Sequence, residues 1–162
     1  MTKFSEVAKA EIEDALHNSH EEFKRVEHQI YVSLKYTRTV DVLMNIISRM
    51  IDGYNFMIEA LLKYAIEKKM AEAMPDSPIE KGKLLQRIFP EEQKIVDNVE
   101  LYFLLRKILR SSPQREKEYR RHVTLKTIVD GREELVNIDI ITNYFNYISE
   151  FLQYVEEMMK DV

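Results

Sequence analysis

Cysteine is absent from this 162-residue chain, which excludes disulfides, thiolate metal sites and cysteine nucleophiles together. Glycine occurs three times and proline four times. That is too few for the many tight turns of an all-β fold, so long helices are expected. No apolar run approaches the roughly 20 residues needed to cross a bilayer, and no membrane partner is expected. The first twenty residues carry Lys3, Glu6, Lys9, Glu11, Glu13 and Asp14, so no signal peptide is read and a cytoplasmic protein is the expectation. Three scattered glycines cannot form a phosphate-cradling loop, and nothing resembles the nucleophile elbow of a serine hydrolase. What is present is 45% apolar and 32% charged, the composition of a globular chain with enough material for one core. A single domain over residues 1–162 is expected.

Net charge is −4, which by itself points away from nucleic acid. The charge is unevenly placed, however. Between Arg106 and Lys126 lie eight basic residues (Arg106, Lys107, Arg110, Arg115, Lys117, Arg120, Arg121, Lys126) against Glu116 and Glu118, so the window is +6 and the remainder −10. Such a segment can hold a polyanion locally while the rest of the surface repels it. A solvated, salt-bridged connector is the other reading.

Apolar periodicity divides the chain into helices. Ile12, Leu16, Ser19, Phe23, Val26, Ile30 and Leu34 recur at steps of three and four, predicting a first helix over about Phe4–Tyr36, capped by Ser5 or Thr2. Thr37-Arg38-Thr39 marks a break, with a Thr cap and Asp41 in the next first turn. A second helix is expected from Val40 to Ala73, its phase (Leu43, Ile47, Met50, Tyr54, Leu61, Ala65) running through Gly53. That glycine reads as a close-packing position at a cost of roughly 1 kcal/mol relative to Ala. Ser77-Pro78 opens a short helix to Phe89. Pro90, with Glu91 and Glu92, is expected to open the next, which ends at Ser111-Ser112-Pro113. Gln114–Arg121 reads as a loop or one short helix. Val123–Val129 and Arg132–Val136 around Asp130-Gly131 predict a β-hairpin with a type I′ turn. Asn137 or Asp139 caps a last helix over Ile138–Lys160. The fold expected is therefore all-α: an antiparallel up-down four-helix bundle with a short extra helix and a small β-hairpin before the last helix. Met44, Met50, Met57, Phe145 and Phe151 belong to its core and not to a cofactor box.

The candidate chemistry lies in Arg115-Glu-Lys-Glu-Tyr-Arg-Arg-His122. Histidine moves protons near neutral pH, and arginine offers a permanent forked donor to an oxyanion. Together they suit metal-free attack of an RNA 2′-hydroxyl on its own phosphate. His122 would be the base or acid, and Arg115 the stabiliser of transition-state charge. Arg110, Lys117, Arg120, Arg121 and Lys126 are the candidates to grip phosphates, and Tyr119 to stack on a base. Taken bare, an Arg some residues before a His is a common pattern, and a solvated connector histidine is the more frequent reading of it.

These residues resemble the HEPN family (higher eukaryotes and prokaryotes nucleotide-binding domains). That family has a four-helix up-down bundle with a shorter accessory helix, and an Arg followed after four to six residues by a His before the last bundle helix. Arg115 and His122 match in spacing and position. Tyr54-Asn-Phe-Met-Ile-Glu59-Ala-Leu-Leu-Lys63 resembles the family's second helix, and Pro78–Ile88 with Leu84-Leu85 its short helix. The likeness covers about residues 40–160. It departs from the family's ribonucleases at Glu116, where Asn, Asp or His is usual after the Arg, and at Val123, where a small or polar residue is usual. The resemblance implies a homodimer whose two Arg–His pairs face a shared cleft, closed by apolar surface on the first or last helix. It also implies, for toxin members, a nucleotidyltransferase-like antitoxin as partner. Many members lack activity and bind nucleotides or partners instead.

His17, His20 and His28 fall on the first helix, where only Asp14-x-x-His17 approaches the Glu-x-x-His pattern of a ferritin-like metal site. They read as surface residues, and neither a metal nor any other cofactor is expected. Three functions remain open on the residues: a metal-independent endoribonuclease, a non-catalytic nucleotide- or RNA-binding module, and a helical accessory subunit of a nucleotidyltransferase.

Overall fold

The computed structural model describes residues 4–160 and 162. The proposed Thr2 cap lies outside the described residues. Ser5 takes the role, its Oγ accepting from the Ala8 amide at 3.0 Å. Helix α1 (Glu6–His28) passes through a π-helical turn (Gln29–Ser33) into a last α-turn, α2 (Leu34–Tyr36). The Leu34 amide donates to the Gln29 carbonyl five residues back, so the turn is one residue wider than an α-turn. Ile30 and Leu34 still face the core, while Tyr31, Val32 and Tyr36 are left on the solvent side.

Thr39 caps α3 (Val40–Glu67), accepting from the Val42 amide. Residues Leu43, Ile46, Ile47, Met50, Met57, Leu61 and Leu62 are fully buried, because α3 is packed against α1, α4 (Pro78–Ile88), α5 (Gln93–Arg110) and α6 (Ile138–Met158). At Gly53 α1 packs tightly onto α3. The Ser19 hydroxyl donates to the Gly53 carbonyl at 3.0 Å. A Cβ on Gly53 would lie 2.5 Å from the Phe23 ring. Gly53→Ala therefore sets a helix-propensity gain of roughly 1 kcal/mol against overpacking of about 1–3 kcal/mol. Phe23 is itself buried and Ser19 fixes the helix spacing, so the clash dominates. A net loss of up to about 2 kcal/mol is expected, seen as a lower denaturant midpoint at unchanged slope.

Helix α3 stops at Glu67, six residues before the Ala73 expected from periodicity. Lys69 takes a left-handed conformation (φ 60°). The Met70 amide donates to the Ala65 carbonyl, and the Lys69 amide to that of Ile66. This is a Schellman cap with lysine in the place glycine usually fills. Ser77 and Pro78 start α4 as expected.

Pro90 does not open α5. The Glu92 amide closes a turn onto the Phe89 carbonyl, and the Glu92 carboxylate accepts from the Tyr154 hydroxyl of α6 at 2.6 Å. The carboxylate thus serves a tertiary contact, and the helix begins one residue later. Burial first, and then the same carboxylate, pushes the Tyr154 hydroxyl up to about 12. Below it, the buried Tyr54 hydroxyl donates to Asn98 at 2.7 Å, and Asn98 donates to the Lys94 carbonyl, which ties α3 to α5. Met50, Met57, Phe145 and Phe151 are buried and Met44 packs against them, so these residues are core.

The β region is larger than a hairpin. Strand β1 (Gln114–Glu116), placed in the sequence reading within a loop or short helix, pairs antiparallel with β2 (Thr124–Val129), which pairs antiparallel with β3 (Arg132–Val136). Asp130 and Gly131 both have positive φ, 52° and 78°, as a type I′ turn requires. Val123, Leu125, Val129 and Val136 bury the inner face against α5, α3 and α6. Asn137 caps α6, its side chain accepting from the Ile140 amide. No helix among the described residues is long and apolar enough to cross a membrane.

Candidate nucleic-acid interface

The connection from β1 to β2, residues 117–123, folds over the N-terminus of α3. Its first anchor is Glu118, whose Oε1 accepts from the Val40 amide at 3.2 Å. A carboxylate suits this position, because the first amides of a helix are unpaired and carry partial positive charge. The second anchor is the Tyr119 amide, which donates to the Arg38 carbonyl at 2.6 Å. To reach both, the chain adopts positive φ at Lys117 (54°) and Tyr119 (63°). Neither residue is one that favours that region, and for a ring-bearing side chain it is an outlier.

Arg115 shares a sheet face with its β2 partner, buried Leu125, and so points toward the helices. Its guanidinium donates to Asp41 Oδ1 at 2.8 Å and to Glu118 Oε1 at 3.2 Å. The hydrogen bond from Arg115 is the main cause holding the Asp41 carboxyl below its ordinary value. Asp41 first, then Glu118, raises the guanidinium further. Arg115 therefore bridges the first turn of α3 to the loop. Arg115 and Asp41 are exposed and Glu118 is partly so, so screening keeps the energetic worth of these ion pairs small.

His122 is exposed. Its backbone carbonyl accepts from the Thr124 hydroxyl at 2.8 Å. Among the described residues no hydrogen bond or ion pair joins Arg115 to His122, and none engages the side chains of Lys117, Tyr119, Arg120 or Arg121. These four side chains project into solvent, Tyr119 with 77% of its surface exposed.

The other basic residues of the window lie elsewhere. Lys126 alternates onto the outer sheet face with Gln114 and Glu116, 3.6 Å from Glu116 and 3.5 Å from Glu133, so its charge is already balanced. Arg110 ends α5 beside Lys107 and the hairpin tip, where Lys107 pairs with Asp130. That tip is about 17 Å along β2 from the 117–123 connection at the usual strand rise. Arg106 lies over the Tyr102 ring, 5.6 Å from its centroid. The +6 window is thus split by the sheet: Arg115, Lys117, Arg120 and Arg121 share one end, and Arg106, Lys107 and Arg110 belong to the other.

Residues outside the window complete the first group. Arg38, bonded through its carbonyl to Tyr119, follows Lys35 and Tyr36 at the end of α2. Tyr36 is 78% exposed. The sequence reading did not include Lys35, Tyr36 or Arg38. The available signal was phase: Tyr31, Val32 and Tyr36 fall off the Ile30/Leu34 core face, leaving aromatic rings with no internal partner.

Among the described residues no three His, Asp or Glu side chains converge as a metal site. His17, His20 and His28 are exposed, and His20 lies 3.7 Å from Glu156. Comparison with family models, with curated proteins and with solved structures finds no match.

Proposed function

We propose that this chain is a HEPN-like single domain, an up-down four-helix bundle formed by the α1–α2 run, α3, α5 and α6, that binds RNA through the 117–122 loop. In a homodimer it cleaves RNA without metal, with His122 as general acid or base and Arg115 as the charge-stabilising group. The observation that carries the reading is a loop anchored by the Tyr119 amide and by Glu118, while Lys117, Arg120, Arg121, His122 and the Tyr119 ring are left unpaired in solvent. Unpaired cations beside an exposed ring are what a phosphate chain with unstacked bases requires. A second copy would bring two Arg115/His122 pairs to one cleft, and exposed Val7, Tyr31, Val32 and Tyr147 on α1, the π-turn and α6 provide apolar surface for such a contact. A nucleotidyltransferase-like antitoxin is the partner this reading implies.

A second reading is favoured by Arg115 itself. Both arms of its fork are occupied by carboxylates. On that reading the loop binds RNA or a nucleotide without cleaving it, and Arg115 is a structural clamp. One experiment separates the two: labelled single-stranded RNA incubated with purified protein in EDTA, with binding followed by anisotropy and integrity by gel. Cleavage supports the first reading, and salt-sensitive binding without product supports the second. Absence of binding at low salt removes both and leaves an accessory helical subunit.

A further inference from the structure

Tyr36 and Tyr119 stand 83 residues apart in the chain, yet the fold brings their two segments together. The Tyr119 amide bonds to the Arg38 carbonyl, and Tyr36 is two residues from Arg38, at most roughly 7 Å of chain. Both rings are more than three-quarters exposed, and neither stacks on another ring of the protein. A tyrosine ring ordinarily buries its apolar body and keeps only the hydroxyl wet. Here the rings on two adjoining segments do the opposite. Tyr119 does so from a positive-φ backbone that disfavours bulky side chains, and strain of this kind is retained where the surrounding structure enforces it and the site uses it.

The charge around the rings selects the occupant. Lys35 lies 6.0 Å from the centroid of the Tyr36 ring. The two segments that meet here carry Arg38, Arg115, Lys117, Arg120 and Arg121 against Asp41, Glu116 and Glu118. Arg115 is paired with Asp41 and Glu118 and Glu116 with Lys126, so Arg38, Lys117, Arg120 and Arg121 leave the region net positive. A second copy seated directly on the rings would bring two such net-positive sets together. A polyanion carrying flat, apolar bases satisfies both the charge and the rings.

We infer that the end of α2 is a second arm of the RNA surface, a base-stacking subsite in which Tyr36 and Tyr119 each take one unpaired base while Lys35 and Arg38 hold the intervening backbone. This rests on the proposed RNA-binding function and adds residues that lie far outside the basic window. It makes the site selective for unpaired nucleotides, because bases in a duplex are stacked on each other and cannot lie on the rings.

The test compares a single-stranded oligoribonucleotide with an abasic oligomer of equal length and charge, titrated by anisotropy against the intact chain. Tyr36→Ala is expected to weaken binding of the base-bearing strand roughly tenfold and to leave the abasic strand unchanged. Tyr36→Phe is expected to retain wild-type affinity for both. Because the chain has no tryptophan, Tyr36→Trp supplies a single reporter whose emission is quenched when a base stacks on it. Thermal unfolding and light scattering of Tyr36→Ala should match wild type. Wild-type protein that binds neither oligomer overturns the RNA function and this subsite with it. Wild-type binding that depends on Arg120 and Arg121 but is indifferent to Tyr36→Ala overturns the subsite alone. Equal weakening on both oligomers, or a changed oligomeric state in Tyr36→Ala, also overturns it, the latter assigning the ring to a protein contact.

Discussion

His122→Ala is expected to slow RNA cleavage in EDTA by roughly 10²–10⁴-fold, the contribution of a positioned general acid or base, while RNA affinity changes little. The reason for the second expectation is geometric. The His122 side chain is exposed and only its carbonyl is engaged, by Thr124, so removing the ring costs neither the sheet nor the loop anchors. Arg115→Ala is a different experiment. It removes a cation and also releases the Asp41 and Glu118 carboxylates, and Glu118 caps α3 through the Val40 amide. Its loss of activity would mix chemistry with a loosened loop. Arg115→Lys keeps the charge but cannot span two carboxylates as a planar fork does, so it reports how far the clamp matters. Single-turnover cleavage of end-labelled RNA, run beside thermal unfolding of each variant, makes the separation. Cleavage by His122→Ala at the wild-type rate would end the catalytic assignment, whatever Arg115 does.

The parts of the fold that were legible in the sequence are those fixed by local chemistry. Ser5, Thr39, Ser77 and Asn137 each accept from an amide in the following first turn, and Asp130-Gly131 supplies the two positive φ values its turn needs. The apolar phase of α3 runs unbroken through Gly53, and the structure explains the glycine by the Phe23 ring against it. The parts that were not legible are fixed by distant partners. Gln114-Arg115-Glu116 has no strand pattern of its own and becomes β1 because the exposed edge of β2 lies beside it. Lys69 ends α3 in a conformation that a lysine does not advertise. Glu92 is withdrawn from the start of α5 by a tyrosine 62 residues away. The candidate site divides in the same way. Arg115 and His122 stand out by type and spacing, but one of the two carboxylates on Arg115 is Asp41, 74 residues earlier. Reading the basic window as one patch fails on register, because strand alternation sends Lys126 to the face opposite Arg115 and the length of β2 carries Arg110 to the far end.

That division of the basic window yields a prediction in which the residues of one charge class behave differently. Each phosphate contact to single-stranded nucleic acid releases counterions and contributes about −0.7 to the slope of log affinity against log salt. Arg120 and Arg121 are exposed and unpaired, so their joint replacement by alanine should reduce the magnitude of the slope by about 1.4. At ~0.1 M salt it should weaken RNA binding roughly 25-fold. Lys126 already sits between Glu116 and Glu133, and a phosphate approaching it must displace a carboxylate that the protein holds in place. Lys126→Ala should therefore leave the slope nearly unchanged. Arg110→Ala should do the same, for reasons of distance and not of pairing. The measurement is RNA affinity at four or five salt concentrations for each variant, with unfolding midpoints confirming that none is destabilised. Equal slopes for all of them would mean that the polyanion reads total charge and not the loop. The specific arrangement of Glu118, Tyr119 and Arg38 would then have no part in binding. A slope lost only with Arg120 and Arg121 ties affinity to the one segment that the fold pins by its backbone while leaving its cations free.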